Sequence, residues 1–177
     1  ISAKNITFQA TNHNVVMNGG QLTATEKIRL DGVDVLVIGG NTQSATAELI
    51  AADDISLNNG RIKSATAILN ANGTTDNDNN GSAITEGDSF VLDIDDLQAK
   101  TKNDISLTSQ RNQLENVYVA NASGNITVYN AHDGNIPLKI AVLNNGNGEA
   151  VVNGNLLVRN LNNNYLANDI ELDQTLN

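Results

Sequence analysis

The chain of 177 residues carries a formal net charge of −10, has no Cys and no Trp, and contains 3% aromatic and 17% charged residues. This charge argues against nucleic acid as a partner, because phosphates require a basic surface, and against insertion at an anionic membrane. The absence of Cys excludes disulfides, thiolate metal sites and Cys nucleophiles, and the length fits one domain or several coils of a repeat protein.

A short phrase recurs along the chain. Two residues precede an Ile, which is followed by any residue and then by a large apolar residue. Several successive copies lie about 20 to 27 residues apart, a period typical of stacked structural units. A longer gap of about 50 residues has room for a degenerate copy around Phe90 and Leu92. The copies occupy residues 4–8, 26–30, 53–57, 103–107, 124–128 and 168–172, with their central residues at Ile6, Ile28, Ile55, Ile105, Ile126 and Ile170.

The segments between the copies predict short strands and tight bends. In chain order, strands are expected at residues 28–30, 35–38 and 47–50, followed by the next copy at Ile55. Apolar and polar residues alternate in these segments, and no window of a dozen residues sustains the spacing of an amphipathic helix. About thirty residues are Asn, which favours turns over helix interiors. We therefore expect almost no helix.

Strands this short gain stability when coils stack about 4.8 Å apart, since each strand then pairs above and below and like side chains form an interior column. The chain is accordingly predicted to be a single right-handed parallel β-helix, or β-solenoid, over residues 1–177, with about seven coils. The six Ile residues of the phrase are expected to stack on one inner face. The structural alternative is an antiparallel β-sandwich. The Asn-rich bends either form ladders of hydrogen bonds or fill exposed turns without ladders.

Two polar segments interrupt the pattern. Residues 70–89 are too polar for an inner strand and predict a loop extruded from the coil. Residues 144–155 contain Asn-Gly pairs, which favour type I′ turns and predict a local hairpin.

The first of these segments resembles half of a calcium-binding loop. Residues 76–81 place carboxylate and amide oxygens at alternate positions before a Gly, the ligand chemistry that Ca²⁺ prefers. The twelfth loop position, acidic in an EF-hand, is Gly87, with an acidic residue on either side. The alternative is a solvated loop in a chain rich in Asn and Asp. The candidate metal ligands are Asp76, Asp78, Asn80, Glu86 and Asp88.

A second acidic group follows at Asp93, Asp95 and Asp96. Clustered carboxylates bind calcium or serve as acid and base in β-helical polysaccharide lyases and hydrolases. On a strand, Asp93 and Asp95 share a face and alternate with Leu92 and Ile94, which is also the pattern of a solvated outer face. The second interpretation is favoured, and the chain is expected not to be an enzyme.

The sequences of residues 22–30 and 50–60 resemble the degenerate repeats of filamentous-haemagglutinin-type adhesins of Gram-negative bacteria. The resemblance implies a secreted or cell-surface β-helical shaft, exported by two-partner secretion or as an autotransporter passenger. It implies a role in adhesion to a host or neighbouring-cell protein or glycan, or in self-association. Two other functions stay open: a calcium-dependent surface-layer or self-assembling sheath protein, and a β-helix polysaccharide lyase or hydrolase.

Overall fold

A computed structural model of the chain describes residues 1–71, 81–121, 123–132, 137–143, 154–161 and 170–172. Eleven strands and no helix occur within these ranges, and none of the described residues forms a helix that could span a membrane. The strands are β1 (Ser2–Gln9), β2 (Val15–Gly32), β3 (Val35–Ala51), β4 (Ile55–Ala71), β5 (Ile84–Thr101), β6 (Ile105–Leu107), β7 (Gln113–Asn121), β8 (Ile126–Asn130), β9 (Leu138–Val142), β10 (Leu156–Asn160) and β11 (Ile170–Leu172).

These strands form a parallel β-solenoid of about six turns, close to the predicted seven. Strands β1 to β5 pair in chain order, and β5 then pairs with both β6 and β7. One ladder continues through β6, β8 and β10, and the other through β7, β9 and β11. All pairings among the described strands are parallel, which excludes the antiparallel sandwich.

The strands of the central coils are longer than the sequence pattern predicts. β2 and β5 have 18 residues each, and β3 and β4 have 17. The predicted segments 35–38 and 47–50 both lie within β3. Bends stacked directly above one another allow hydrogen bonding between coils to continue through a corner, so one strand covers two faces of the coil.

The prediction of a single interior Ile column is wrong, because copies of the phrase fall in different columns. Ile6 pairs with Ile28, which continues to Ala47. A separate column contains Ile55 and stacks Val15, Val35, Ile55, Ile84, Ile105, Ile126 and Leu156. Ile170 pairs with Leu138. Because Ile28 pairs with Ala47, the next copy at Ile55 lies more than one coil away and falls on a different face.

The length of a coil varies at the predicted loop. The backbone N–H of Asp54 bonds to a side chain 20 residues earlier, whereas the N–H of Ala83 bonds to one 29 residues earlier. The ends of the predicted 70–89 loop lie in strands, since Asn70 belongs to β4 and residues 84–89 to β5. Residues 72–80, and 144–153 of the predicted hairpin, lie outside the described residues.

One corner of the solenoid carries a column of Asn and Asp side chains that we call the Asx column. In each described step, a side-chain oxygen accepts the backbone N–H of the coil above, which satisfies a donor at the bend. This is a ladder in which each of these steps joins a side chain to a backbone N–H. Asn155 Nδ2 also donates to Asn125 Oδ1, at 3.0 Å. The steps are Asn14 to Asp34 (3.2 Å), Asp34 to Asp54 (3.2 Å), Asp54 to Ala83 (2.8 Å), Asp104 to Asn125 (2.6 Å) and Asn125 to Asn155 (3.2 Å).

Candidate functional site

The predicted metal ligands divide between described and undescribed parts of the chain. Asp76, Asp78 and Asn80 lie outside the described residues. Glu86 and Asp88 lie on β5, where Asp88 is exposed and Glu86 is only 7% exposed. No three His, Cys, Asp or Glu side chains converge as metal ligands in the part of the chain that the structure describes. Glu86 thus lies in the interior rather than on an exposed loop.

Glu86 occupies an apolar position of the coil. It pairs with Leu57 in the coil below, within a short segment Ile84-Thr85-Glu86 that has the spacing of the repeated phrase. Sequence reasoning missed this copy because its last residue is acidic and placed a degenerate copy at Phe90 and Leu92 instead. The sequence does contain a signal for this copy, because Ile84 precedes Ile105 by about one coil. In the structure Ile84 stacks between Ile55 and Ile105.

Glu86, Ser109 and Asn112 form a cluster that we call the buried polar cluster. Glu86 Oε2 accepts hydrogen bonds from the backbone N–H of Ser109 at 3.0 Å and from Asn112 Nδ2 at 2.8 Å. Ser109 Oγ donates in turn to the carbonyl of Phe90 at 2.6 Å. Glu86 Oε1 is buried and has no partner among the described residues. The cluster joins the first part of β5 to the turn that follows β6.

Burial makes the Glu86 carboxyl a weaker acid than an exposed Glu. Desolvation raises its pKa from the ordinary value of 4.5 to about 7, and the negative charge of Asp88 acts in the same direction. The hydrogen bonds from Ser109 and Asn112 lower the pKa but do not outweigh burial. A substantial fraction of Glu86 is therefore a neutral carboxylic acid near pH 7.

Buried Asn side chains continue from this cluster into the next coil. Asn112 Oδ1 accepts the backbone N–H of Leu92 at 2.9 Å. Asn130 repeats the contact with Leu114, accepting its N–H at 2.8 Å and donating to its carbonyl at 3.1 Å. Both Asn side chains are fully buried. They satisfy backbone groups at a place where the strand ladder is interrupted, which is a structural role.

The acidic group after Phe90 lies on the outer surface, as the strand pattern predicts. Leu92 and Ile94 are buried, whereas Asp93 and Asp95 point outward. Asp93 forms ion pairs with Arg61 and with Lys63, the latter at 3.1 Å. Burial alone raises the pKa of Asp93, but the hydrogen bonds and charges of the two cations outweigh it, so the pKa lies below its ordinary value. Asp93 therefore stays ionised at neutral pH and is poorly suited to donate a proton.

A groove of about 360 Å³ runs along a corner of the first four coils, and we call it the corner groove. One wall is a column of outward-facing residues in register, and the other is formed by the bends. The Asn70 side-chain oxygen in this groove is buried and has no hydrogen-bond partner among the described residues. The column is Gln9, Asp31, Ile50 and Asn70. The other side is lined by Ala10, Thr11 and Ala52 in the bends and by Gly32 and Ala51 at the ends of β2 and β3.

Comparison of the chain with protein-family models, with curated proteins and with solved structures finds no match in any of the three. The class defined by the coordinates is a parallel β-solenoid. The resemblance to filamentous-haemagglutinin-type repeats accordingly rests on the residues of the repeated phrase alone.

Proposed function

We propose that this solenoid is a structural and adhesive segment of a secreted or cell-surface bacterial exoprotein. The single observation that carries the proposal is the stack of parallel coils in the described part of the chain, whose interior from β1 to β10 is mainly an apolar core. At about 4.8 Å per coil, six turns give a rod roughly 25 to 30 Å long. A rod of this kind holds surface residues at fixed spacings, which suits a shaft or an extended binding surface.

The outer surface supports this function through contacts between neighbouring coils. Glu48 on β3 pairs with Lys27 at 2.6 Å and with Arg29 at 2.9 Å, both on β2. Asp93 makes the corresponding pairs with Arg61 and Lys63 on β4. Each pair is partly exposed and contributes little alone, but a carboxylate between two cations favours one fixed arrangement of the coils.

The experiment that tests this proposal asks where the parent protein lies. Antibodies raised against the purified chain are applied to intact and to permeabilised cells of the source organism, with an antibody to a cytosolic protein as the control. Labelling of intact cells, removed by added protease, is the expected result. Labelling that requires permeabilisation would overturn a surface role. Attachment of chain-coated beads to cells, compared with albumin-coated beads, then separates an adhesive segment from a passive shaft.

Self-association is a second candidate, in line with a self-assembling sheath. β1 has a single buried residue, Ile6, and in the described part of the chain it pairs on one side only, with β2. Ile1, directly before this strand, is 71% exposed, and Phe8 on the strand is 40% exposed. A strand that is unpaired on one side favours pairing with a further strand, whether of the same chain or of another one. Sedimentation at increasing protein concentration, with Ca²⁺ and with chelator, tests both assembly and its dependence on calcium.

A lyase or hydrolase has less support than either. Asp93 is held ionised by its two cations, and Asp95 is exposed on the same outer face. Cleavage of an acidic polysaccharide by the chain, lost in Asp93→Ala or Asp95→Ala, would establish this function in place of the structural one.

A further inference from the structure

The corner groove has the chemistry of a ligand site that runs parallel to the solenoid axis. We propose that it binds a neutral glycan chain, an inference that rests on the proposed adhesive function and names its ligand class. Gln9, Asp31, Ile50 and Asn70 belong to four successive coils and stack in register. Three steps of about 4.8 Å give the column a length of roughly 14 Å. An elongated ligand that follows the column meets one side chain in each coil.

The polar atoms of the column match sugar hydroxyl groups. The Asn70 side-chain oxygen is a buried acceptor without a partner among the described residues, so a rotation of the amide that brings this oxygen into the groove breaks no hydrogen bond to it. A sugar hydroxyl group can then donate to the oxygen. Gln9 contacts Asp31 only through a long hydrogen bond of 3.4 Å between Nε2 and Oδ2. Gln9 can therefore turn to a ligand at small loss. Asp31 is held by Arg29, but the bonds from Gln9 and Arg29 all use Oδ2, so Oδ1 is the atom that accepts from a ligand. Ile50, between Asp31 and Asn70, provides an apolar surface for the C–H face of a sugar ring.

The charges around the groove favour a neutral ligand. Two cations lie beside it. Arg29 donates to Asp31 Oδ2 at 2.7 Å and to Glu48 Oε2 at 2.9 Å, so its charge is balanced by two carboxylates. Lys100 pairs with Asn70 at the end of the column and is a single positive charge there. The net charge of −10 adds repulsion against an acidic polysaccharide. An extended peptide fits less well, since the backbone groups of β2 and β3 already pair with neighbouring coils. The groove presents side chains, and these suit hydroxyl groups.

The inference is tested by NMR titration of the isotope-labelled chain with neutral hexasaccharides of β-linked glucose, xylose or mannose, and with hexagalacturonate as the acidic probe. We expect one of the neutral probes to shift the resonances of Gln9, Asp31 and Asn70. Asn70→Ala is expected to weaken binding about tenfold, the effect of one lost hydrogen bond in a buried site. Its melting temperature should not fall, because the deleted oxygen has no partner among the described residues. Asn58→Ala, at an exposed position outside the groove, is the matched control and should bind normally.

Several results would overturn the inference: no shift with any neutral hexasaccharide at millimolar concentration, shifts confined to other surfaces, unchanged affinity of Asn70→Ala, or tighter binding of hexagalacturonate. Failure here is distinguishable from failure of the adhesive function. If Asn70→Ala loses oligosaccharide binding but coated beads still attach to cells, the groove is not the adhesive surface. If intact cells are not labelled, the surface role fails even where the groove binds sugar.

Discussion

Asn112 donates a hydrogen bond of 2.8 Å to the carboxylate of Glu86 inside the solenoid, and this contact connects the turn after β6 to the start of β5. Glu86 lies where the coil below has Leu57. A single carboxyl group thus replaces an apolar contact in the interior column. It makes the packing of two coils dependent on the protonation of one side chain.

The stability of the fold should decrease as the pH rises from about 5 to 8. The pKa of Glu86 is about 7 in the folded chain and 4.5 when unperturbed, so the folded state retains a proton that the unfolded state has released. The stabilisation is complete below the unfolded value and is lost as the pH passes through the folded one. At about 1.4 kcal/mol per unit, the loss is up to about 3 kcal/mol. Urea unfolding monitored by circular dichroism across this range measures it.

The matched variants for this pH dependence are Glu86→Gln and Asp88→Asn. Glu86→Gln removes the titrating group and should flatten the profile, while the exposed Asp88→Asn should preserve most of the slope. If Glu86→Gln shows the same decrease as the unmodified chain, another group is responsible.

Asn130→Ala should destabilise the chain by about 3 kcal/mol. The side chain satisfies both the N–H and the carbonyl of Leu114, and each buried backbone group without a partner costs about 1 to 3 kcal/mol. Asn116→Ala is the control, because Asn116 is half-buried and donates to Asp96 at 2.9 Å near the surface. Its expected cost is below about 1 kcal/mol. Equal midpoints of urea unfolding for the two variants would contradict the structural role of Asn130.

Asp54→Ala should cost about 1 to 2 kcal/mol, since Ala83 N–H loses its acceptor in the Asx column. Asp54→Asn should be at least as stable as the unmodified chain. Asn14 and Asn125 already fill this position in other coils, and the amide oxygen accepts the same bond. Thermal unfolding of both variants provides the measurement. A large loss in Asp54→Asn would mean that charge, not the acceptor, is what the column requires.

Gly60→Ala should be among the most damaging small substitutions. Gly60 has a φ of +126°, and an added Cβ would overlap the carbonyl oxygen of Gly40 in the coil below. The combined cost of backbone strain and steric overlap is expected to exceed about 3 kcal/mol. Gly20→Ala is the control: its φ is +86°, but nothing lies within 4 Å of the added Cβ. Its cost should stay near 1 to 2 kcal/mol, roughly the left-handed backbone term alone.

The difference between the two variants measures the cost of steric overlap between coils separately from the cost of backbone strain. Similar urea midpoints for Gly60→Ala and Gly20→Ala would show that the close approach of the glycine bends is unimportant to the coil spacing.

Part of the fold can be predicted from local sequence patterns, because these patterns do not depend on which strands pair with each other. Alternation of apolar and polar residues predicts strands, and the recurrence of the phrase predicts stacked coils; both are confirmed for the described residues. The outward position of Asp93 follows from the same alternation. The register in which the coils stack cannot be predicted from it. Ile28 and Ile55 belong to copies of one phrase, yet they fall in different columns, because the distance between copies is not a constant number of coils.

The candidate sites divide in the same way. Asp76, Asp78 and Asn80 remain sequence predictions, since they lie outside the described residues. Glu86 is a candidate ligand in the sequence because of its charge, and only the spacing of Ile84-Thr85-Glu86, which matches the repeated phrase, indicates that it faces the interior. No sequence motif marks Asn70 as a site residue. Its importance appears only when four residues, each about one coil from the next, line the same groove.

The class of architecture, the near absence of helix and the presence of Asn-rich bends can be predicted from the amino-acid sequence, because these features depend on contacts within a few residues or on a repeated pattern. Which copies of the phrase stack together, the burial of Glu86 and the existence of the corner groove are evident only in the tertiary structure. These features depend on pairing between residues about 19 to 32 positions apart, as in Ile28 with Ala47 and Leu138 with Ile170. Insertions change that separation from coil to coil, and no local pattern encodes the resulting register.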